Sequence, residues 1–163
     1  MGVLARAAVL LLFVTACDEH EVDARFATPE ATLQTLLASY GVQHMSQDEI
    51  QEHMRARGRF ELRDEQTFRA CFDDYSSAAD EGLAGFVFGT VAAGKDDLRV
   101  NHAQGKAHVF PDPDRRERRV VLVEHDGEWK ISLRDSVPPA IRRSLREEYQ
   151  RLSDRVRREG ATR

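Results

Sequence analysis

Residues 120–133 read VVLVEHDGEWKISL, which is two β-rich runs on either side of Asp126-Gly127. An Asp-Gly pair in this setting is a strong signal for a β-hairpin, because both central residues of a type I′ turn need a positive φ. We therefore predict paired strands at 120–125 and 128–133.

A two-residue turn also determines which residues of the two strands face each other. It places Glu124 opposite Trp129 and Val120 opposite Leu133. One face of the hairpin then carries mostly apolar side chains, namely Val120, Leu122, Trp129, Ile131 and Leu133. That face needs a cover, which amphipathic helices elsewhere in the chain can supply.

Helical patterns precede the strands. A Thr-Pro start and a Ser-x-x-Glu capping box open helices at 28–41 and 46–58, each ending at a glycine. A longer apolar helical pattern runs from Asp64 up to Gly94 and contains Gly82, Gly85 and Gly89, so we expect it to break near Gly82 into two helices.

The composition changes to strands after these helices. Runs at 98–103 and 106–110 flank a Gln-Gly pair, and the Pro- and charge-rich segment 111–116 predicts a turn. Pro138-Pro139 opens a last helix to about Arg158. Helices, then antiparallel strands, then a helix indicate an α+β fold.

Length and composition are those of one small globular domain. The chain has 163 residues, of which 32% are charged and 41% hydrophobic, and a formal net charge of −4. The charge is uneven, with a net of −10 over residues 18–97 and +4 over 138–163. The basic end can face an acidic partner, an anionic surface or the acidic part of its own domain.

The amino end has the pattern of an export signal. Residues 1–16 contain Arg6, an apolar run at 7–14 that is too short to remain as a membrane-spanning helix, and small residues at the end. The junction Val14-Thr15-Ala16-Cys17 resembles the lipobox of bacterial lipoproteins. The resemblance implies that Cys17 is acylated and becomes the first mature residue. The alternative is a plain secretory signal in which Cys17 is incidental.

An acylated Cys17 would anchor the protein to a membrane of the bacterial cell envelope, since several acyl chains together hold stably. Whether that is the inner or the outer membrane stays open. Residues 17–27 would be the anchor and a flexible tether. Cys71 would have no partner for an intramolecular disulfide, and export excludes nucleic acid as a partner.

A second resemblance concerns the domain at residues 28–137. Its opening, TPEATL at 28–33, and the DGEWKI ending of the hairpin at 126–131 look like small bacterial lipoproteins with an NTF2-like (cystatin-like) domain. The resemblance implies a curved antiparallel sheet that forms a cone around the helices and encloses a pocket. Some members of the family are enzymes with a carboxylate, a Tyr or a His in that pocket.

Carried onto this chain, the family's pattern makes Glu124, His108 and Tyr75 the candidate acid/base residues. Glu124 lies opposite Trp129, where burial would raise its pKa, but it is also next to the turn, where it can reach water; we favour the solvated position. His108 alternates with apolar residues, and a structural histidine is the competing interpretation.

The remaining reactive residues do not form a known motif. Cys71 lies on the aromatic helical stripe and is expected to pack as a small hydrophobe. The six histidines lack tight zinc-ligand spacing, and the chain has no P-loop, Gly-x-Gly-x-x-Gly or Gly-x-Ser-x-Gly. We predict no metal site and no cofactor.

The basic helix at 138–163 carries an apolar seam with spacing 4, 3, 4, namely Leu145, Tyr149, Leu152 and Val156. We expect the seam to pack on the domain, and a partner protein or anionic lipid is the alternative. The leading functional hypothesis is a membrane-anchored, non-enzymatic lipoprotein that binds a small apolar ligand or another envelope protein. The alternative is a small isomerase or dehydratase that uses Glu124 or His108 as acid/base.

Overall fold

The computed structural model describes residues 21–112 and 118–160. Helices and strands within these ranges follow the order expected for an α+β fold, and that fold class is confirmed. The elements are α1 (Pro29–Ser39), α2 (Gln47–Arg57), α3 (Glu65–Ala70), a 3-10 turn (Ala78–Asp80), α4 (Glu81–Ala93), β1 (Arg99–Ala103), β2 (Lys106–Phe110), β3 (Val120–His125), β4 (Glu128–Ile131), α5 (Leu133–Ser136) and α6 (Pro139–Gly160).

The strands form one antiparallel sheet in the order β1-β2-β3-β4. Both two-residue turns have positive φ angles, at Gln104-Gly105 and Asp126-Gly127, as the hairpin signals require. Glu124 pairs with Trp129 and Leu122 with Ile131, so the predicted register of the central hairpin is confirmed. Part of the predicted turn at 111–116 lies outside the described residues.

The last strand is shorter than predicted. β4 ends at Ile131, and Leu133 is the first residue of α5 instead of the strand partner of Val120. The reason is capping: the Asp74 carboxylate accepts hydrogen bonds from the backbone N–H groups of Leu133 (2.6 Å) and Arg134 (3.0 Å), and the Ser132 hydroxyl accepts one from Asp135 (3.2 Å). These bonds turn the chain into a helix at that point.

The first three helices begin at the capping residues that the sequence predicts. Thr28 accepts a hydrogen bond from Ala31, Ser46 and Glu49 form a reciprocal capping box, and Asp64 accepts from Thr67. These bonds satisfy backbone N–H groups that have no partner within the helix.

The helical pattern that begins at Asp64 breaks about ten residues earlier than predicted. α3 ends at Ala70, and Phe72 forms a parallel β-bridge with Ile131. The Ile131 N–H donates to the carbonyl of Cys71 (2.8 Å), and the Asp73 N–H donates to the carbonyl of Ile131 (3.0 Å). This segment therefore covers the edge of β4, which would otherwise expose unpaired backbone groups. Gly82 lies inside the first turn of α4.

The core lies between one face of the sheet and the helices. Its fully buried side chains include Leu33, Leu36, Leu37, Leu83, Val87, Val91, Val109, Val120, Leu122 and Ile131. Trp129 is half-buried against this cluster. Side chains thus fill the space in which the cone of an NTF2-like domain is expected to open.

The segment before α1 is more closely attached than a flexible tether would be. Phe26 is only 2% exposed, and its carbonyl accepts a hydrogen bond from the Trp129 N–H (2.7 Å). The Lys130 ammonium lies 3.1 Å from the centre of the Phe26 ring, a cation-π contact. Of the residues 18–27 assigned to a tether, Phe26 belongs to the folded domain.

Helix α6 begins at Pro139, one residue after the predicted start, and only its first part packs on the domain. Ile141 and Leu145 are partly buried against the core, whereas Tyr149, Leu152 and Val156 are 40%, 49% and 68% exposed. The predicted packing of the seam therefore holds for Leu145 only. Among the described helices, none combines the length and the apolar character needed to cross a bilayer.

Candidate functional site

The structure separates two of the predicted acid/base candidates. Glu124 is exposed near the end of β3, and its register partner is Trp129. His108 pairs with Val121, so it lies on the opposite face of the sheet from Glu124, because successive residues of a strand point to opposite sides. Burial is the main cause that lowers the pKa of His108, helped by the nearby charges of Arg119 and Lys106.

Tyr75, the third candidate, belongs to an aromatic cluster. Its ring centre lies 6.0 Å from that of Phe72 and 6.4 Å from that of Phe68, and the Arg69 guanidinium lies 5.1 Å from the Tyr75 ring centre. Burial is the main cause that raises the pKa of Tyr75, so its phenol is neutral at ordinary pH. Within the described residues, no hydrogen bond or ion pair joins Tyr75, His108 and Glu124 to one another.

Of the two cysteines, the structure describes Cys71 only. Cys71 is fully buried, and its thiol donates a hydrogen bond to the carbonyl oxygen of Thr67 (3.3 Å). Burial raises its pKa to about 12, so the thiol is unreactive at neutral pH. Cys17, the predicted lipidation site, lies outside the described residues.

An open groove on the outer side of the helices has a mainly apolar lining. It has a volume of about 560 Å³ and lies between α2, α4 and the segment that follows α2. Its apolar and glycine lining consists of Tyr40, Ile50, Met54, Gly58, Phe60, Gly85, Phe88, Gly89, Ala92 and Ala93. Ligand sites of this size and lining commonly hold small apolar molecules.

Stacked rings form one wall of this groove. The rings of Tyr40 and Phe88 are stacked with centres 3.8 Å apart, and Phe60 meets Phe88 edge-on at 5.8 Å. His53 stacks on the far side of Phe60 at 4.3 Å. Burial is the main cause that raises the pKa of Tyr40, so this phenol stays neutral.

The floor of the groove is backbone. Gly85 and Gly89 lie one turn apart on α4, and a Cβ atom added to either would have no neighbour within 4 Å. Ile50 is buried beside them, and Met54 is 43% exposed at the rim. The groove offers apolar contact, with the polar side chains Gln51, Arg55 and Arg59 also in its lining.

No family model, curated protein or solved structure matches the chain. The interpretation of the groove therefore depends on its own geometry. Within the two described ranges, no group of three His, Cys, Asp or Glu side chains could hold a metal ion.

Two features of the sequence point to this groove, although neither is needed to predict a helix or a strand. Gly85 and Gly89, at spacing four in the apolar helix α4, reduce the stability of that helix. In α2 only Ile50 is buried, and Met54 on the same face is 43% exposed. The two signals become one site only when α2 and α4 lie side by side, which is a tertiary contact.

Proposed function

We propose that this chain is a bacterial lipoprotein, anchored to a membrane of the cell envelope by acyl groups on Cys17, whose domain binds a small apolar ligand without chemical change. The lipobox-like Val14-Thr15-Ala16-Cys17 supports the anchor. The observation that carries the binding activity is the open apolar groove between α2 and α4, because the space between sheet and helices is filled by buried side chains.

We also infer a compact relative of the NTF2-like fold. Helices that precede an antiparallel meander, and the DGEWKI hairpin ending, support this inference. In such a relative the pocket between sheet and helices has closed, and binding has moved to the outer side of the helices. The enzymatic alternative would need Glu124 and His108 to act separately, since they lie on opposite faces of the sheet.

The anchor is tested by labelling bacteria that produce the full chain with an alkyne fatty acid. We expect the unchanged protein to be labelled and Cys17→Ala to be unlabelled. Cys71→Ala is the matched control: it removes the other cysteine, which is buried, and should leave the labelling unchanged. Equal labelling of the unchanged protein and Cys17→Ala would refute the anchor.

The groove is tested with N-phenyl-1-naphthylamine, an apolar dye that fluoresces when it leaves water. Gly89→Leu places a large side chain in the groove, and Gly89→Ala adds only a methyl group at the same position. Both changes favour the helix, so they differ mainly in the space they fill. We expect strong dye binding for the unchanged protein and Gly89→Ala, and loss of binding for Gly89→Leu. Unchanged binding by Gly89→Leu would remove the groove from the proposal.

A second candidate function, docking of another envelope protein, is favoured by the exposed seam of α6. Tyr149, Leu152 and Val156 are 40%, 49% and 68% exposed and share one face of α6. A partner protein that covers this apolar face would remove it from water.

Photocrosslinking in cells tests that candidate. A benzoylphenylalanine at position Leu152 places the reactive group on the seam, and the same residue at Gln150 places it on the polar side of the helix. A crosslinked product of defined mass at Leu152 alone supports docking. Products at both positions, or at neither, would contradict it.

A further inference from the structure

The outer face of the sheet carries a second recess, which is polar and electropositive. It has a volume of about 580 Å³ and lies between the strands β2 and β3 and the α5 segment. The charged and titratable side chains that line it are Lys106, His108, Arg119, Arg134 and Asp135. With His108 neutral, these side chains sum to a charge of about +2, and we call the site the basic recess.

The recess is structurally supported on both sides. The Ser136 hydroxyl accepts a hydrogen bond from the Val121 N–H (2.9 Å) and donates one to the Val121 carbonyl (3.3 Å), which fixes α5 against β3. Lys106 on β2 pairs with Asp135 on α5 at 2.7 Å. Pro138 and Pro139, which also line the recess, restrict the backbone at its rim.

Two cations of the basic recess lack a hydrogen-bonded or ion-paired acid in the part of the chain that the structure describes. Lys106 is the only one of the three cations that pairs with Asp135 at hydrogen-bond distance. Within the described residues, the guanidinium groups of Arg119 and Arg134 make neither an ion pair nor a hydrogen bond. Guanidinium groups bind phosphate and carboxylate oxygens through paired N–H groups, so two free ones in a concave site favour an anionic ligand.

Two titratable groups sense the same positive potential. Burial is the largest cause that lowers the pKa of His108, and the charges of Arg119 and Lys106 lower it further against the opposing charge of Asp135. The pKa of Asp135 is also lowered, first by the hydrogen bond from Lys106 and then by the charges of Arg134 and Arg119, although burial opposes these effects. One side chain is harder to protonate and the other is easier to ionise, as expected where cations dominate.

We propose that the basic recess binds a phosphate-bearing small molecule, with Arg119 and Arg134 as the groups that contact the phosphate. A phosphate monoester carries nearly two negative charges at neutral pH, which matches the charge of the lining. The recess also has the volume of a small-ligand site. This proposal depends on neither the anchor on Cys17 nor the apolar groove.

Nuclear magnetic resonance of the full-length protein in a non-ionic detergent tests this proposal. The histidines are labelled with carbon-13, and the His108 signal is identified by its loss in His108→Gln. Titration with glycerol 1-phosphate is expected to shift the His108 signal saturably. It is also expected to raise the pKa of His108, because the bound dianion counteracts the repulsion by Arg119 and Lys106.

Variants then distinguish a specific phosphate-binding site from nonspecific electrostatic attraction of anions. Arg119→Gln and Arg134→Gln are each expected to weaken binding by at least about tenfold, as the loss of a charged hydrogen bond would. Arg143→Gln is the matched control, because Arg143 is an exposed arginine on α6 outside the recess, and it should bind like the unchanged protein. Retained histidine spectra show that each variant is folded.

Dihexanoylphosphatidylglycerol, added to the same micelles, is a second arm that distinguishes a lipid headgroup from a soluble phosphate. Saturable shifts of the His108 signal with either ligand support the site. The ligand with the higher affinity shows whether the site prefers a lipid headgroup or a soluble phosphate. The proposal is overturned by no saturable shift with either ligand up to about 10 mM, a concentration that would detect even millimolar affinity. Equal weakening by Arg143→Gln would overturn it as well.

Discussion

Helix α4 has two sides with opposite properties. Towards the sheet, Leu83, Val87 and Val91 are at most 1% exposed and close the core. Away from the sheet, Gly85 and Gly89 have open space where side chains would lie. One helix thus closes the core with large residues on one side and leaves a groove open with glycines on the other. Changes on the two sides should therefore have opposite effects on stability.

The largest expected effect is on the packed side. Leu122 is fully buried on β3 in the cluster that contains the inward residues of α4, so Leu122→Ala should leave a cavity and lower the free energy of unfolding by about 2–5 kcal/mol. Met54→Ala, at the rim of the groove, should cost less than about 1 kcal/mol. Urea unfolding measures both, and equal losses would contradict the distinction between the two sides.

The end of α4 is the next most sensitive point. A Cβ atom at Gly94 would clash with the carbonyl oxygen of Pro111, which is backbone and cannot move aside alone. Gly94→Ala should therefore lower the free energy of unfolding by about 1–3 kcal/mol. The same change at Gly89, where space is open, is the control in the same urea experiment. If Gly94→Ala were neutral, the close approach of the two segments would be refuted.

Just before α4, the Asp80 carboxylate stabilises the 3-10 turn that leads into the helix. Asp80 accepts hydrogen bonds from the backbone N–H and hydroxyl groups of Ser76 and Ser77, at 3.0 to 3.2 Å. Burial alone would raise the pKa of Asp80, but these bonds outweigh it and lower the pKa below the usual range of an aspartate. Asp80→Ala should cost about 1–3 kcal/mol at neutral pH, because four donors lose their acceptor.

The pH dependence of that loss has a defined sign. A lowered carboxyl pKa contributes stability above the unfolded pKa, and this contribution is lost as the pH falls through the folded pKa. The difference between the unchanged protein and Asp80→Ala should therefore shrink below about pH 4. Asp97→Ala, which removes an exposed carboxylate, is the control. A difference that grows on acidification would contradict the assignment.

The smallest effect is expected on the open side, with the opposite sign. Gly89→Ala should raise the free energy of unfolding by about 0.5–1 kcal/mol, since Ala favours the helix and its methyl group meets no neighbour. A thermal unfolding scan would show a higher midpoint. A lower midpoint would mean that the groove is occupied by the protein's own side chains in solution.

Local signals in the sequence predicted the parts of the fold that local chemistry determines. Asp126-Gly127 specified both the turn and the register of the hairpin, and the caps at Thr28, Ser46 and Asp64 specified where three helices begin. Each of these features depends on backbone angles or on hydrogen bonds within a few residues. Sequence patterns can therefore identify them without knowledge of the tertiary structure.

The helix and strand bounds predicted from the sequence were wrong where a distant contact overrides the local pattern. Residues 71–75 continue the helical spacing, yet Phe72 pairs with Ile131 about sixty residues away. Leu133 continues the strand alternation, yet the carboxylate of Asp74 caps a helix there. The same limit applies to the candidate sites, because the groove and the basic recess are each built from elements that are far apart in sequence.

The attachment of Phe26 to the hairpin has a consequence for where the domain can act. If Cys17 carries the anchor, only about six residue steps separate it from Asp23, whose backbone N–H donates to a Glu128 carboxylate oxygen at 3.2 Å. A chain of that length spans about 20 Å at most, even when fully extended. The domain would then stay within roughly its own diameter of the membrane surface. Its ligands or partners would have to reach it there.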